Sequence, residues 1–208
     1  MPSDFPYASL VNYSPRGTSD ISQTSRRFRG ALKAGRLDAI RQTLGPLRSP
    51  AAAVLTDFLN PNVTLVPIPG SAPLAPGAVW PSRVICDFLV AEGFGESVLP
   101  CISRTYAVRK SATSPASERL LVHEHCDSLA VETQLVSPAA ITLVDDVVTL
   151  GRTSFACAQL VAETFPQAEI RIFAMLRTQG RIPDIEQLVD PSVGIITGYD
   201  SGKTFRDP

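Results

Sequence analysis

The stretch Ile141–Thr153, which reads Ile-Thr-Leu-Val-Asp-Asp-Val-Val-Thr-Leu-Gly-Arg-Thr, decides the fold of this chain. An apolar, β-branched run leads into two adjacent carboxylates, and a short loop follows before a helix begins near Thr153. A tight loop and a helix N-terminus offer backbone N–H donors and a positive dipole end to an anion. Carboxylates at the end of the strand can accept hydrogen bonds from vicinal sugar hydroxyls or hold Mg²⁺, directly or through water.

The loop after the carboxylates contains the residue types that a phosphate group requires. Gly151 lets the backbone approach a ligand closely and adopt a positive φ. Thr149 and Thr153 add hydroxyl donors, and Arg152 adds a positive charge. The sequence therefore predicts a site for a phosphorylated sugar at the end of this strand.

Length and composition are those of an ordinary globular domain, with 208 residues, of which 44% are apolar and 19% charged. The net charge of −1 gives no bulk attraction to nucleic acid, which we do not expect as a partner. No apolar run approaches the roughly 20 residues that span a bilayer, and the N-terminus does not read as a signal peptide. We expect a cytoplasmic protein without membrane contact. The four cysteines and two histidines lack the spacing of a zinc site.

Strands alternate with helices along the chain, which predicts an α/β fold with a mainly parallel central sheet flanked by helices. Residues 1–19 are rich in Pro, Ser and Tyr and are predicted to be irregular. We expect residues 1–60 to form this lead and a helical extension, and residues 61–208 the main domain, in one compact unit. The predicted helices are Asp20–Leu44 with a break at Gly35, Ala51–Leu59, Pro81–Glu92 and Thr153–Thr164. The predicted strands are Val63–Ile68, Ser97–Ile102, Ser128–Leu135, Ile141–Val144, Glu169–Leu176 and Val193–Thr197.

A basic cluster lies on the first predicted helix and consists of Arg26, Arg27, Arg29, Lys33 and Arg36. A solvated helix face is the favoured interpretation. A patch that contacts a ligand or a partner is the alternative.

The segment Val144–Thr153 resembles the phosphoribosyl pyrophosphate (PRPP) signature of type I phosphoribosyltransferases. Two acids alone would also suit another acidic α/β pocket, such as a phospho-acceptor site, but the Thr-x-Gly-x-Thr loop favours the phosphoribosyl interpretation. Leu150 stands where a small or hydroxyl residue is more usual, which removes a side-chain donor but no backbone amide. The resemblance implies Asp145 and Asp146 as catalytic residues and Mg²⁺ ligands. It implies a 5-phosphate site at Thr149, Leu150, Gly151, Arg152 and Thr153.

A second segment, Val-Pro-Ile-Pro-Gly-Ser at 66–71, lies at a strand-to-helix turn, where type I enzymes place their pyrophosphate-binding loop. Together with the acidic motif it resembles ComF-type members, which are related to amidophosphoribosyltransferases, although the zinc-binding N-terminal segment common in that group is not seen. Residues 103–127 correspond to the mobile catalytic flap, and His123 and His125 are expected to alternate along an extended segment. The implied pyrophosphate-binding residues are Pro69, Gly70, Ser71, Arg109 and Lys110.

The resemblance implies a Mg²⁺-dependent enzyme that transfers the phosphoribosyl group of PRPP to a nitrogen acceptor and releases pyrophosphate. Enzymes that salvage 6-oxopurines usually carry Asp where this chain has Thr149, so purine-base salvage is disfavoured and the small-molecule acceptor stays open. Two other interpretations are kept: a non-catalytic regulator that senses PRPP or a nucleotide, and a competence or DNA-processing accessory protein of the same fold. A homodimer is common in the family.

Overall fold

The computed structural model describes residues 3–109, 120–133, 138–179 and 182–207. The strands are β1 (Asp4–Tyr13), β2 (Thr64–Pro67), β3 (Ser97–Val98), β4 (Ile102–Arg104), β5 (Leu129–Val131), β6 (Ala140–Val148), β7 (Glu169–Thr178), β8 (Val189–Gly198) and β9 (Thr204–Asp207). Seven of them form the main sheet in the order β3-β2-β6-β7-β1-β8-β9, and β4 and β5 form a separate antiparallel pair.

Helices cover both faces of this sheet. One face packs against the helices of the first ninety residues, and the other packs against α5 and α6. The helices are α1 (Asp20–Lys33), α2 (Leu37–Arg41), α3 (Leu44–Leu47), α4 (Pro81–Ala91), α5 (Val122–Asp127) and α6 (Arg152–Thr164), with a 3-10 helix at Pro50–Leu55. No helix in the described part of the chain is long and apolar enough to cross a membrane.

The central sheet is mainly parallel, as predicted. The pairs β2–β3, β2–β6, β6–β7 and β1–β7 are all parallel, whereas β8 and β9 extend the sheet in antiparallel pairs. Strands that lie in the middle of such a sheet are buried on both faces, which is why β6 and β7 read as nearly continuous apolar runs. The α/β class with a mostly parallel sheet between helices is therefore confirmed.

The prediction that residues 1–19 form an irregular lead is wrong. Asp4–Tyr13 is strand β1, which lies between β7 and β8 in the main sheet, and Tyr7 and Leu10 are fully buried. The segment before residue 60 thus shares a sheet with the segment after it. The division of the chain into an extension and a main domain stays a prediction.

Other helices and strands lie close to their predicted positions, but their bounds or types differ from the prediction. Gly35, with φ of +67°, separates α1 from α2 as predicted. The predicted helix at Ala51–Leu59 is a short 3-10 helix instead. The predicted strand at Ser97–Ile102 is divided between β3 and β4, because β3 pairs with β2 whereas β4 leaves the main sheet to pair with β5.

Candidate functional site

The loop between β6 and α6 is shorter than its sequence predicts, because β6 continues through both carboxylates to Val148 and α6 begins at Arg152. Asp145 and Asp146 lie near the carboxyl end of β6, and α6 begins at Arg152 with Gly151 as its N-cap. Gly151 has φ of +79°, the left-handed region that glycine adopts without steric cost. A Cβ atom at this position would lie 2.7 Å from Cδ1 of Ile196 on β8. Only glycine satisfies both the backbone conformation and this close contact.

The C-terminal strand holds the loop from one side. The hydroxyl of Thr204 donates to the carbonyl oxygen of Leu150 at 2.6 Å, and Nε of Arg206 donates to the carbonyl oxygen of Thr149 at 2.9 Å. In a trans peptide the C=O and the following N–H point in opposite directions. These bonds to β9 therefore turn the N–H groups of Leu150 and Gly151 away from β9, where they are available to a ligand.

A cavity of about 90 Å³ lies beside this loop. Its wall contains all five residues of the predicted 5-phosphate site, together with Asp145 and Ser154. The N-terminal helix α1 supplies the remaining charged side chains, Arg29 and Lys33. The N–H groups of the first turn of α6 have no partner within the helix and carry its positive dipole end, so this cavity suits a phosphate-sized anion.

The two adjacent carboxylates turn to opposite faces of the sheet, as successive residues of a strand do. Asp145 faces α6, where its Oδ2 accepts a 3.1 Å hydrogen bond from the hydroxyl of Ser154 and its Oδ1 accepts from the backbone N–H of Asp146 at 2.8 Å. Asp146 is buried and faces α1, where Nζ of Lys33 lies 2.9 Å from Oδ1 and 2.7 Å from Oδ2. The cavity wall includes Asp145 but not Asp146.

The pKa of Asp145 is raised to about 7. Burial is the largest cause, because it disfavours the charged carboxylate, and the negative charge of Asp146 adds to it. Lys33 and the Ser154 hydroxyl oppose this shift in part. Asp145 therefore changes its charge close to neutral pH, whereas an ordinary aspartate is fully ionised there.

Of the two predicted Mg²⁺ ligands, Asp145 and Asp146, only Asp145 lies on the cavity wall. Mg²⁺ is usually held by one or two carboxylates together with waters and phosphate oxygens of the substrate. Asp145 fits as a single carboxylate at the cavity wall. Direct ligation by both aspartates does not fit, because they face opposite sides of the sheet and Asp146 is paired with Lys33. No group of three His, Cys, Asp or Glu side chains suited to a metal occurs among the described residues.

The turn proposed to bind pyrophosphate follows β2, the parallel neighbour of β6, so the two loops leave the same edge of the sheet. Buried Arg104 on β4 donates from Nε to the carbonyl oxygen of Gly70 at 3.1 Å and also contacts the hydroxyl of Ser128. The carbonyl oxygen of Ser71 accepts from the N–H of Val108 at 2.7 Å. These bonds connect the turn to the segment that contains Arg109.

None of the four predicted pyrophosphate residues that the structure describes lines the cavity described above. Pro69, Gly70, Ser71 and Arg109 lie elsewhere on the described chain, and Lys110 lies outside the described residues. Their role in binding pyrophosphate stays a prediction.

The two histidines do not alternate along an extended segment, so that prediction is wrong. Both lie on helix α5, with His123 exposed and His125 buried. Nε2 of His125 lies 3.4 Å from the hydroxyl of Thr153 in the loop. Burial, with the nearby charges of Arg104 and Arg152, lowers the pKa of His125 to about 4, so its imidazole is neutral at physiological pH.

The sequence did not identify the residues that are distant along the chain and yet lie next to the loop or its cavity. The favoured prediction for the basic cluster on α1 was a solvated helix face, yet two of its members, Arg29 and Lys33, line the cavity. Their spacing of four residues, which places them on one helix face, was the available signal. Arg206 and Thr204 had no such signal, since only the pairing of β9 with β8 brings them to the loop.

Comparison with known proteins gives distant similarities. No family model and no curated protein matches the chain. Among solved structures, the chain is similar to a hypoxanthine phosphoribosyltransferase from Staphylococcus aureus, with 10% identity, coverage of 78% of this chain and 70% of that one, and a TM-score of 0.33. It is also similar to an asparagine mutant from an analysis of an invariant aspartic acid in HPRTs, with 14% identity, coverage of 83% and 76%, and a TM-score of 0.30. Likenesses this distant assign no residue of this chain a role.

Proposed function

We propose that this protein is a phosphoribosyltransferase that binds PRPP and transfers its phosphoribosyl group to a nitrogen acceptor, with release of pyrophosphate. One observation carries the proposal. Gly151, in the left-handed conformation, is the N-cap of α6. Strand β9 holds the carbonyl oxygens of Thr149 and Leu150, so that the N–H groups of the loop are available beside a cavity that Asp145 lines. A phosphate at the loop and a ribose next to Asp145 would use both features.

In the proposed reaction a nitrogen lone pair of the acceptor forms a bond to C1′ of the ribose while the bond from C1′ to pyrophosphate breaks, and the acceptor then loses a proton. Positive charge develops on the ribose ring as pyrophosphate leaves. Asp145, when ionised, would stabilise that charge, and the loop would fix the 5-phosphate so that C1′ is correctly placed. Mg²⁺, which Asp145 could hold, would neutralise charge on the pyrophosphate.

Calorimetric titration with Mg²⁺-PRPP tests this proposal. The wild-type protein is expected to bind PRPP, and Asp145→Asn is expected to weaken binding by about tenfold, which corresponds to ~1.4 kcal/mol. Asp57→Asn is a matched control, because it removes a carboxylate from an exposed position outside the cavity wall. A folded wild-type protein that does not bind PRPP would refute the proposal. Release of pyrophosphate in a panel of nucleobases and amines would identify the acceptor.

A PRPP-sensing regulator is the second candidate, and the ion pair between Lys33 and Asp146 favours it. One of the two motif acids is neutralised by a cation and lies outside the cavity wall, so the site could bind PRPP without supplying both carboxylates to the chemistry. PRPP binding without pyrophosphate release across the whole acceptor panel would support this regulator. The closer relationship to ComF-type members rests on the sequence pattern at 66–71 and 144–153 and is part of the proposal, as are a cytoplasmic location and a homodimer.

A further inference from the structure

The basic cluster of α1 is divided by the fold into residues with different surroundings. Arg26 donates hydrogen bonds to the carbonyl oxygens of Ser14 and Gly17, at 3.2 and 2.7 Å. Arg36 pairs with exposed Asp38, and Arg27 is exposed. The remaining two cations, Arg29 and Lys33, are one helical turn apart and both line the cavity opposite the loop.

Arg29 is held in place, yet part of its hydrogen-bonding capacity is unused. Its guanidinium lies over the ring of Tyr13, with Cζ 5.6 Å from the ring centroid. Its Nε is buried and has no hydrogen-bond partner within the described residues. A buried donor without an acceptor is unfavourable, and it is uncommon in folded proteins. Arg29 also lines the cavity and forms no ion pair within the described residues, so its guanidinium is the part of the wall that suits an anion.

The two cations that α1 contributes to the cavity wall differ in their ion pairs. Lys33 is compensated by Asp146, with which it forms a close ion pair. Arg29, which forms no ion pair in the part of the chain that the structure describes, then remains as a cation of the wall. Arg29 is therefore the cation of α1 that can pair with a bound anion.

We propose that Arg29 is a phosphate-binding residue, and that the phosphate monoester of a sugar phosphate lies between Arg29 on α1 and the loop at the N-terminus of α6. This inference rests on the proposed function and deepens it, since it adds a side chain from the N-terminal helix to the 5-phosphate site. Lys33 acts as a positioning residue that neutralises Asp146 beneath the same wall. The N-terminal helix is thereby a part of the ligand site, and the phosphate is recognised by one guanidinium as well as by backbone amides.

Calorimetric titration with ribose 5-phosphate, without metal, tests the inference on the full chain. We expect Arg29→Gln to weaken binding by about tenfold, the loss typical of one charge-assisted hydrogen bond, and Arg29→Lys to recover part of it. Arg27→Gln is the matched control, since it removes an equal charge from an exposed position of the same helix, and its affinity should change by less than about twofold. Unphosphorylated ribose is the control for the phosphate contact, and its affinity, where measurable, should not depend on Arg29.

The possible outcomes separate the two proposals. If the wild type binds ribose 5-phosphate and Mg²⁺-PRPP, but Arg29→Gln behaves like Arg27→Gln, the role of Arg29 is refuted and the proposed function stands. If the wild type binds neither compound, the proposed function fails and this inference fails with it. Circular dichroism shows whether Arg29→Gln is folded. If it is not, the affinity of folded Arg29→Lys for ribose 5-phosphate decides the question. An affinity equal to that of the wild type would contradict a contact that depends on the guanidinium.

Discussion

Nε of Arg206 donates a 2.9 Å hydrogen bond to the carbonyl oxygen of Thr149, which joins the last strand of the chain to the loop between β6 and α6. The same guanidinium donates from Nη2 to the carbonyl oxygen of Thr178 at 2.6 Å, and its Cζ lies 5.4 Å from the ring centroid of buried Tyr7. Arg206 thus connects the loop to β7 and β1. The orientation of the loop amides depends on a residue that does not line the cavity.

Replacing Arg206 with Gln should therefore weaken the binding of a phosphate ligand without removing any cavity-lining group. We expect affinity for ribose 5-phosphate to fall about fivefold to tenfold, and unfolding free energy to fall by roughly 1.5–3 kcal/mol as charged hydrogen bonds are lost. Calorimetry and urea denaturation measure the two effects. Arg48→Gln is the control, because it removes only an exposed ion pair with Glu92 and should cost less than about 1 kcal/mol. Unchanged affinity in Arg206→Gln would contradict the positioning role.

The substitution Gly151→Ala tests the close contact at the start of α6. A positive φ costs a residue with a Cβ about 1–2 kcal/mol, and the new atom would lie 2.7 Å from Cδ1 and 3.0 Å from Cγ2 of Ile196. We expect urea denaturation to show a loss of roughly 2–4 kcal/mol in total. Ile196→Val removes the Cδ1 atom that the new Cβ would contact. The double variant should therefore lose less unfolding free energy than the sum of the losses in the two single variants. Strict additivity would mean that the loop moves away from β8 instead.

The β6–loop–α6 unit could be predicted from sequence because its determinants are local. Its determinants follow one another within 25 residues: the apolar run, the carboxylates, Gly151 and the apolar face of α6. The local conformational preference of each segment agrees with the conformation that it has in the fold. The break at Gly35 and the start of α4 at Pro81 are local signals of the same kind.

Strand β1 could not be predicted, because its polar residues are satisfied only by distant partners. The hydroxyl of Ser9 accepts a hydrogen bond from Arg177, and the side-chain amide of Asn12 donates to the carbonyl oxygen of Gln187 and to Asp190. Pro6 and these polar residues lower the strand propensity of the segment when it is considered alone. Burial between β7 and β8 overrides that preference. The contact between Lys33 and Asp146 escapes sequence reasoning for the same reason, since 113 positions separate the two residues.

The raised pKa of Asp145 has a defined effect on stability in the metal-free protein. Between its ordinary value of 3.8 and its folded value of about 7, the folded state binds a proton that the unfolded state has released. This difference makes its contribution to stability fall as pH rises through that window and level off above it. Asp145→Asn should abolish the contribution, so the unfolding free energy of the variant should exceed that of wild type more at pH 7 than at pH 4. Urea denaturation across this range measures the difference, and parallel profiles for the two proteins would contradict the raised pKa.

Buried His125 should produce a pH dependence of the opposite sign. Its pKa is lowered from 6.5 to about 4, chiefly by burial, so between these values the unfolded state binds a proton that the folded state does not. The contribution of His125 to stability is therefore fully present above pH 6.5 and is lost as the pH falls towards 4, by an amount on the order of 3 kcal/mol. His125→Gln, which retains a polar group near Thr153, should flatten this loss in urea denaturation. His123→Gln removes an exposed imidazole from the same helix and is the matched control. If both variants lose stability in acid as wild type does, the imidazole of His125 is not the group that resists protonation in the folded state.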